Sequence, residues 1–270
     1  MELVTTHTHT NYTGHGEGTV EELVAAAEAA GIATIAVTEH YPLSEEMDAA
    51  RYISMDPARV GQYLADIAAA QAAHPRVEVV PGTELDWLGD REDRDFSKLD
   101  FTPFAHILGS VHFVDGWAFD DPAEEGRWHT VGADGVWKRY YEIWCEAASS
   151  KDAPFQTMAH PDLVKKFGYL PSFDPQRLYD EAAEAVSSAG RMVEVNTSGL
   201  WYACKEMFPA PALLRTFCRA GVPCSVGTDA HTPGNVARGI EDAYRLMYEA
   251  GYRKVTVPTK TGDRREIALQ

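Results

Sequence analysis

The sequence predicts an α/β protein, a barrel of parallel strands forming a single domain over residues 1–270. Two patterns carry that expectation. Short β-rich runs alternate with amphipathic helical stretches through seven units, and the helical stretches repeatedly close on a glycine that leads into the next strand. A third observation gives the barrel a working end: histidines and carboxylates recur where the strand-like runs finish.

The strand candidates are the short β-rich runs 3–6, 34–38, 77–81, 107–111, 155–159, 192–196 and 224–228. Helical candidates lie between and after them at 19–30, 57–73, 135–148, 175–189, 211–220 and 236–250. Pro175 after Asp174 and Pro211 supply start signals, while Gly31, Gly190, Gly221 and Gly251 supply stops. The charged stretch 86–103, which contains DREDRDFSKLD, reads as a solvated loop with a short helix inserted after the third strand. No low-complexity linker divides the chain.

Composition narrows the function. At 45% hydrophobic content and with no run of about 18 apolar residues, the chain reads as globular, and a membrane partner is not expected. Met1 is followed directly by a strand-like segment, which leaves no room for a signal peptide and points to the cytoplasm. Cys145, Cys204, Cys218 and Cys224 show no CxxC spacing and read as small buried thiols, not as disulfides or a thiolate zinc site. With 41 acidic against 24 basic residues, the net charge of −17 repels polyanions, so extended nucleic acid is disfavoured. A small phosphorylated metabolite remains a suitable partner where positive charge is concentrated locally, as bound metal ions do. Nothing in the sequence specifies an oligomeric state.

In parallel α/β folds, functional groups gather beyond the carboxyl ends of the strands. His7 and His9 end the first run, His40 ends the second in VTEH, and Glu84 follows the third in VVPGTE. His112 ends ILGSVH, His160 lies in MAHPD, and Asp229 with His231 ends the last run in GTDAH. The period of two in HxH puts both imidazoles on one face of an extended strand, where they can ligate one ion together. HxH alone is a weak signal; with Glu at the third strand and DxH at the last it becomes strong. His15 sits in the Gly-rich loop TGHGEG, which can fold back over the barrel mouth. His74, His106 and His129 carry the structural reading, since none ends a strand.

Together these residues resemble the polymerase and histidinol phosphatase (PHP) superfamily, and the resemblance runs over essentially the whole chain. It implies a distorted seven-stranded, TIM-barrel-like (β/α) barrel with three divalent ions. Carried over, it implies one ion on His7, His9, Glu84 and Asp229, a second on the bridging Glu84 with His112 and His160, and a third on His15, His40 and His231. The phrases TEHYPL, GSVHFVDGWAFDDP, AHPDLVKKFG and VNTSGL are similar to the histidinol-phosphate phosphatase branch. In one respect the chain departs from it: that branch often carries a basic residue after the NTSGL-type motif, where Trp201 and Tyr202 stand here.

The implied activity is hydrolysis of L-histidinol phosphate to L-histidinol and phosphate, a step of histidine biosynthesis. Oxygen and nitrogen ligands suit zinc, manganese or iron(II). The expected chemistry is in-line attack by a metal-bridging hydroxide, with Asp229 and Glu84 as the catalytic carboxylates and Asp229 orienting or receiving the proton of the nucleophile. Lys165 and Lys166 are candidates for the phosphate, and replacement of Lys165 is expected to raise KM. Trp117 and Trp201 are candidates to wall a flat group. Competing readings are a PHP-type phosphatase or phosphodiesterase for another small ester or a nucleotide, an amidohydrolase-type barrel, and a non-catalytic interaction module.

Overall fold

The computed structural model describes residues 1–89 and 96–270. Seven parallel strands form one sheet: β1 (Leu3–Thr5), β2 (Ile32–Val37), β3 (Glu78–Asp86), β4 (His106–Ser110), β7 (Thr157–Met158), β8 (Met192–Asn196) and β9 (Cys224–Gly227), in that spatial order. The sheet curls until its first and last strands meet. Thr6 N–H donates to Val226 O (2.8 Å), Asp229 N–H to His7 O (2.9 Å) and His9 N–H to Ala230 O (2.8 Å). Every residue of β4, β7, β8 and β9 is buried, as expected for parallel strands covered on both faces.

Outside the barrel lie α1 (Val20–Ala29), α2 (Val60–Ala73), α4 (Ala133–Ser149), α5 (Gln176–Ser188), α6 (Pro211–Arg219) and α7 (Ile240–Ala250), with the one-turn α3 (Trp128–Val131) before α4. The starts of the first two are locally encoded. Thr19 and Glu22 form a reciprocal capping box on α1. Asp56 caps the short 3-10 turn Pro57–Arg59 that feeds α2. The small hairpin β5 (Phe113–Val114) and β6 (Trp117–Ala118) follows β4, and a second antiparallel hairpin, β10 (Lys254–Pro258) with β11 (Arg264–Ala268), ends the chain.

All seven expected barrel strands and six expected helices are present, with shifted ends. β3 runs on to Asp86 because it pairs with β2 through Pro81 and then with β4 from Gly82, so Glu84 lies within the strand. β7 shrinks to two residues. The last helix starts only at Ile240, because Pro233–Asn235 forms a 3-10 turn and Gly239 adopts φ +81°. The loop expected over 86–103 falls partly on residues 90–95, outside the described residues; beyond them Phe96–Lys98 forms a 3-10 turn. That stretch is not purely solvated, since the Phe96 ring packs edge-on against Phe155 at 5.9 Å. Both hairpins were unanticipated. The four cysteines are free, and among the described residues no helix is long and apolar enough to cross a membrane.

Candidate metal centre

The pleat of the segment after β1 sets the first pair of donors. Thr8 turns away and ties to β2, its hydroxyl donating to Ala36 O (2.8 Å), so His7 and His9 share the opposite side. Both are 0% exposed. His7 Nδ1 donates to Glu194 (3.0 and 3.1 Å), which leaves Nε2 aimed at the barrel mouth. There His7 Nε2 lies 3.0 Å from His9 Nε2, 3.1 Å from Glu84 Oε2 and 3.6 Å from Asp229 Oδ1. His9 Nε2 stands 3.2 Å from Asp229 Oδ1 and 3.3 Å from Glu84 Oε2.

Glu84 is the hub. Its Oε2 also meets His40 Nδ1 at 3.1 Å, while Oε1 meets His160 Nε2 at 2.9 Å and His112 Nε2 at 3.6 Å. Ser110 Oγ donates to Oε1 as well. His112 is fixed by its other nitrogen, Nδ1, which donates to Asp86 (2.7 Å). At the rim, His15 Nδ1 donates to the Tyr52 carbonyl (2.7 Å) and His231 Nδ1 to the Asp229 carbonyl (2.9 Å).

The nine expected ligands therefore meet in one place. Close donor groups form from His7, His9 and Glu84; from His7, His160 and Asp229; from His40, Glu84 and His112; and from His9, His40 and His231. At the third expected position the tight group contains His9, whose ring stacks on His40 (4.4 Å) and His231 (4.3 Å). His15 stands beside it, 4.9 Å from His231 and 5.3 Å from His40, ring to ring.

Charge in the cluster is polarised. Burial by itself would raise the Glu84 and Asp229 pKa values, but the neighbouring histidines hold both carboxyls well below the usual range. Burial opposes protonation of His7 as well, yet the carboxylates of Glu194, Glu84 and Asp229 raise its pKa well above the ordinary value. His40, His15 and His231 go the other way, depressed chiefly by burial, His231 to about 3. The residues fit divalent cations. Two ligands about 2.1 Å from a common ion at tetrahedral or right angles stand about 3.0–3.4 Å apart, which is the spacing found here. His40 Nδ1 is close to Glu84 Oε2 yet makes no well-aligned hydrogen bond with it, as expected where two lone pairs address a shared third party.

The cluster floors a cavity of about 510 Å³, whose walls include Phe113, Asp120, Lys166, Trp201, Tyr202 and Arg238. Lys166 Nζ donates to the Asp120 carbonyl (2.9 Å) and carboxylate (3.0 Å). Trp201 stands at the rim, 40% exposed. Lys165 and Trp117 do not line the cavity. Lys165 belongs to the 3-10 turn Leu163–Lys165, where successive side chains diverge by about 120°, and it is buried with Nζ on Asp162 (2.9 Å), Glu206 (2.7 Å) and the Met207 carbonyl (2.8 Å). Trp117 turns inward from its hairpin onto Trp128, ring centroids 5.3 Å apart.

Several site residues escaped the sequence reading. Glu194 orients His7, and its Oε2 also accepts the His160 N–H (3.0 Å) and Asn196 Nδ2 (3.2 Å). Glu39 anchors the backbone N–H and hydroxyl of Thr10 and lies 3.8 Å from His9 Nδ1. A signal existed: in MVEVN the polar Glu194 and Asn196 alternate with Val193 and Val195 in a strand buried on both faces.

Fold and cluster define a parallel (β/α) barrel with several possible metal-binding groups at the carboxyl ends of its strands. The PHP domain model matches residues 5–198, and the chain belongs to the PHP domain family. A probable histidinol-phosphatase of Deinococcus radiodurans is 32% identical over 256 residues, which is 94% of this chain and 96% of that one. The fold is shared with a histidinol phosphate phosphatase from Lactococcus lactis subsp. lactis, solved with zinc, L-histidinol and phosphate. The TM-score is 0.80 and the identity 21%, covering 98% of this chain and 99% of that one. Asp229 and His231 lie beyond the matched family segment, and barrel closure brings them to it.

Proposed function

We propose that this chain is a metal-dependent phosphoric monoester hydrolase that cleaves L-histidinol phosphate to L-histidinol and phosphate, a step of histidine biosynthesis carried out in the cytoplasm. The observation that carries the reading is the convergence on Glu84 of five imidazoles, in a chain 32% identical to a probable histidinol-phosphatase over nearly its whole length.

Three divalent ions, zinc, manganese or iron(II), would be held by His7, His9, Glu84 and Asp229; by Glu84, His112 and His160; and by His15, His40 and His231 with His9 alongside. Bound divalent ions supply Lewis acidity toward water and toward phosphoryl oxygens, and a local positive field that lets a chain of net charge −17 take an anion. Glu84 sets the spacing of the donor groups. Asp229 Oδ2 accepts from Ser198 Oγ (3.3 Å) and Asn196 Nδ2 (3.3 Å), so Oδ1 stays turned to His7 and His9, where it can orient the attacking water and take its proton. The cavity volume of about 510 Å³ suits a small metabolite. Lys166, fixed by Asp120, lines it beside Tyr202, its Nζ 4.8 Å from the ring centroid.

Trp201 and Tyr202, in place of the basic residue expected there, favour one second reading, a phosphatase for another small ester. Phosphate release from histidinol phosphate, sugar phosphates and nucleotides, with added zinc or manganese, separates the two. Histidinol phosphate is expected to give the highest kcat/KM. Release from sugar phosphates alone would sink the histidinol assignment, and release from no ester would sink the hydrolase.

A further inference from the structure

Two side-chain cations stand in the cavity wall, and they differ in how far they are committed. Lys166 is neutralised by Asp120. Arg238 is not neutralised: its guanidinium carbon sits 3.4 Å from the ring centroid of Trp201, and among the described residues no carboxylate or carbonyl accepts a hydrogen bond from its side chain. In a chain with 41 acidic residues against 24 basic ones, a guanidinium left without an anion beside a cluster of oxygen and nitrogen donors calls for a ligand.

We infer that Arg238, braced on the indole of Trp201, is a substrate-positioning residue that binds two oxygens of the phosphoryl group in the cavity. Stacking covers one face of the guanidinium and leaves its N–H edge free, and that planar fork matches two oxygens of a phosphate. The brace is tied to the reactive end of the site. Arg238 O accepts from Thr197 Oγ1 (2.7 Å), and Arg238 N–H donates to Asn235 O (3.0 Å). Gly239, at φ +81°, lets the chain pass so close that a Cβ there would stand 3.1 Å from Thr197 and 3.2 Å from the Trp201 ring. The same turn, Ser198–Trp201, carries the hydroxyl that donates to Asp229 (3.3 Å). One short segment thus fixes Asp229 at one end and the platform for Arg238 at the other. The identity of the bound group as a phosphoryl rests on the phosphatase reading.

The test uses the full chain loaded with zinc, its metal content measured for every variant, and inorganic phosphate as the probe. Calorimetric titration of phosphate and KM against kcat for a phosphate ester are the two readouts. Arg238→Met is expected to weaken phosphate binding and raise KM about 10- to 100-fold, the range for a lost charge-assisted fork, with metal content unchanged. Arg238→Lys should fall between, since an ammonium restores charge without the fork, and it serves as the readout should the methionine variant fold poorly. Trp201→Leu should weaken phosphate less, and should add nothing in the Arg238→Met background, where there is nothing left to brace. Phosphate affinity within twofold of wild type in both Arg238 variants at equal metal content overturns the inference, and so does a metal-loaded wild type that binds no phosphate. Arg238-dependent phosphate binding without hydrolysis of histidinol phosphate would remove the substrate assignment and leave this inference standing. Hydrolysis with Arg238-independent binding would do the reverse.

Discussion

Replacing Glu194 with Gln removes one buried charge without removing volume, and the geometry says what remains. Oε2 collects three donors, His7 Nδ1 (3.1 Å), the His160 N–H (3.0 Å) and Asn196 Nδ2 (3.2 Å), whereas Oε1 meets His7 alone (3.0 Å). An amide oxygen placed at Oε2 keeps all three bonds. The flipped amide would set an NH2 against two buried donors, at about 1–3 kcal/mol for each unsatisfied group, so one orientation is forced and the barrel is expected to fold. What is lost is the charge that makes His7 Nε2 a strong lone-pair donor, together with the second acceptor, Oε1, that faces His7 Nδ1 (3.0 Å). Removing such an outer partner typically costs about 10–100-fold in metal affinity or activity, or about 1.4–2.8 kcal/mol. Competition with a chromophoric chelator gives the affinity, kcat the activity, and the melting temperature of metal-free protein the fold. Affinity and kcat both within twofold of wild type, with an unchanged melt, would refute the role given to Glu194.

Neighbouring geometry predicts three further outcomes. In Gly227→Ala the new Cβ would collide with the Glu194 carboxylate and approach His7 Cβ at 2.6 Å, so weakened metal binding is expected from a residue that holds no metal; wild-type affinity would show that the pocket yields instead. Lys165→Met leaves the fully buried Asp162 without its counter-ion and should cost about 3–5 kcal/mol in urea unfolding with KM little changed. Raised KM at full stability would restore Lys165 to the substrate. Glu28, on the surface between Arg76 and His74, has its carboxyl lowered from 4.5 to about 2 by hydrogen bonds from Arg76 and then His74, while His74 is raised from 6.5 by Glu28 and Glu21. A depressed acid stabilises above its unfolded value and a raised base below its own, so the wild-type advantage over Glu28→Gln should be full between pH 4.5 and 6.5. It should fade as pH falls from 4.5 toward 2 and again as pH rises above 6.5. Melts at low salt across that range check it, and an advantage constant with pH would count against the triad.

The barrel was legible because strand and helix periods are strong local signals and the candidate ligands sit where strands end. His7 and His9 announced a shared face through a spacing of two, and VTEH, GSVH and GTDAH repeated the same placement around the sheet. Less legible was anything fixed by side-chain direction within a short turn. Lys165 and Lys166 are adjacent in sequence, yet one fills a buried ion pair with Asp162 and the other lines the cavity, because a 3-10 turn rotates them apart. Trp117 looked like a loop residue until a two-residue hairpin turned it inward. Glu194 lies between two valines and Glu39 beside the more conspicuous His40, and only the folded barrel shows the imidazoles behind which they stand.

The backbone at the mouth shows what bringing these donors together costs. His160 and Asp229 have φ of +26° and +51°, in the left-handed region that non-glycine residues rarely enter, at about 1–3 kcal/mol each. Glycine would relieve the strain but would carry no donor. The bend aims His160 Nε2 at Glu84 (2.9 Å) and Asp229 Oδ1 at His9 (3.2 Å), so the strain and the clustering of these donors are the same feature. Each strained peptide is held by a bond to another member of the cluster: the His160 N–H donates to Glu194, and the Asp229 N–H to the His7 carbonyl (2.9 Å). Glu194 therefore fixes a ring on the first strand and a bent peptide after β7 at once. A single buried carboxylate thereby couples two imidazoles of the cluster, and its removal should loosen His7 and His160 together.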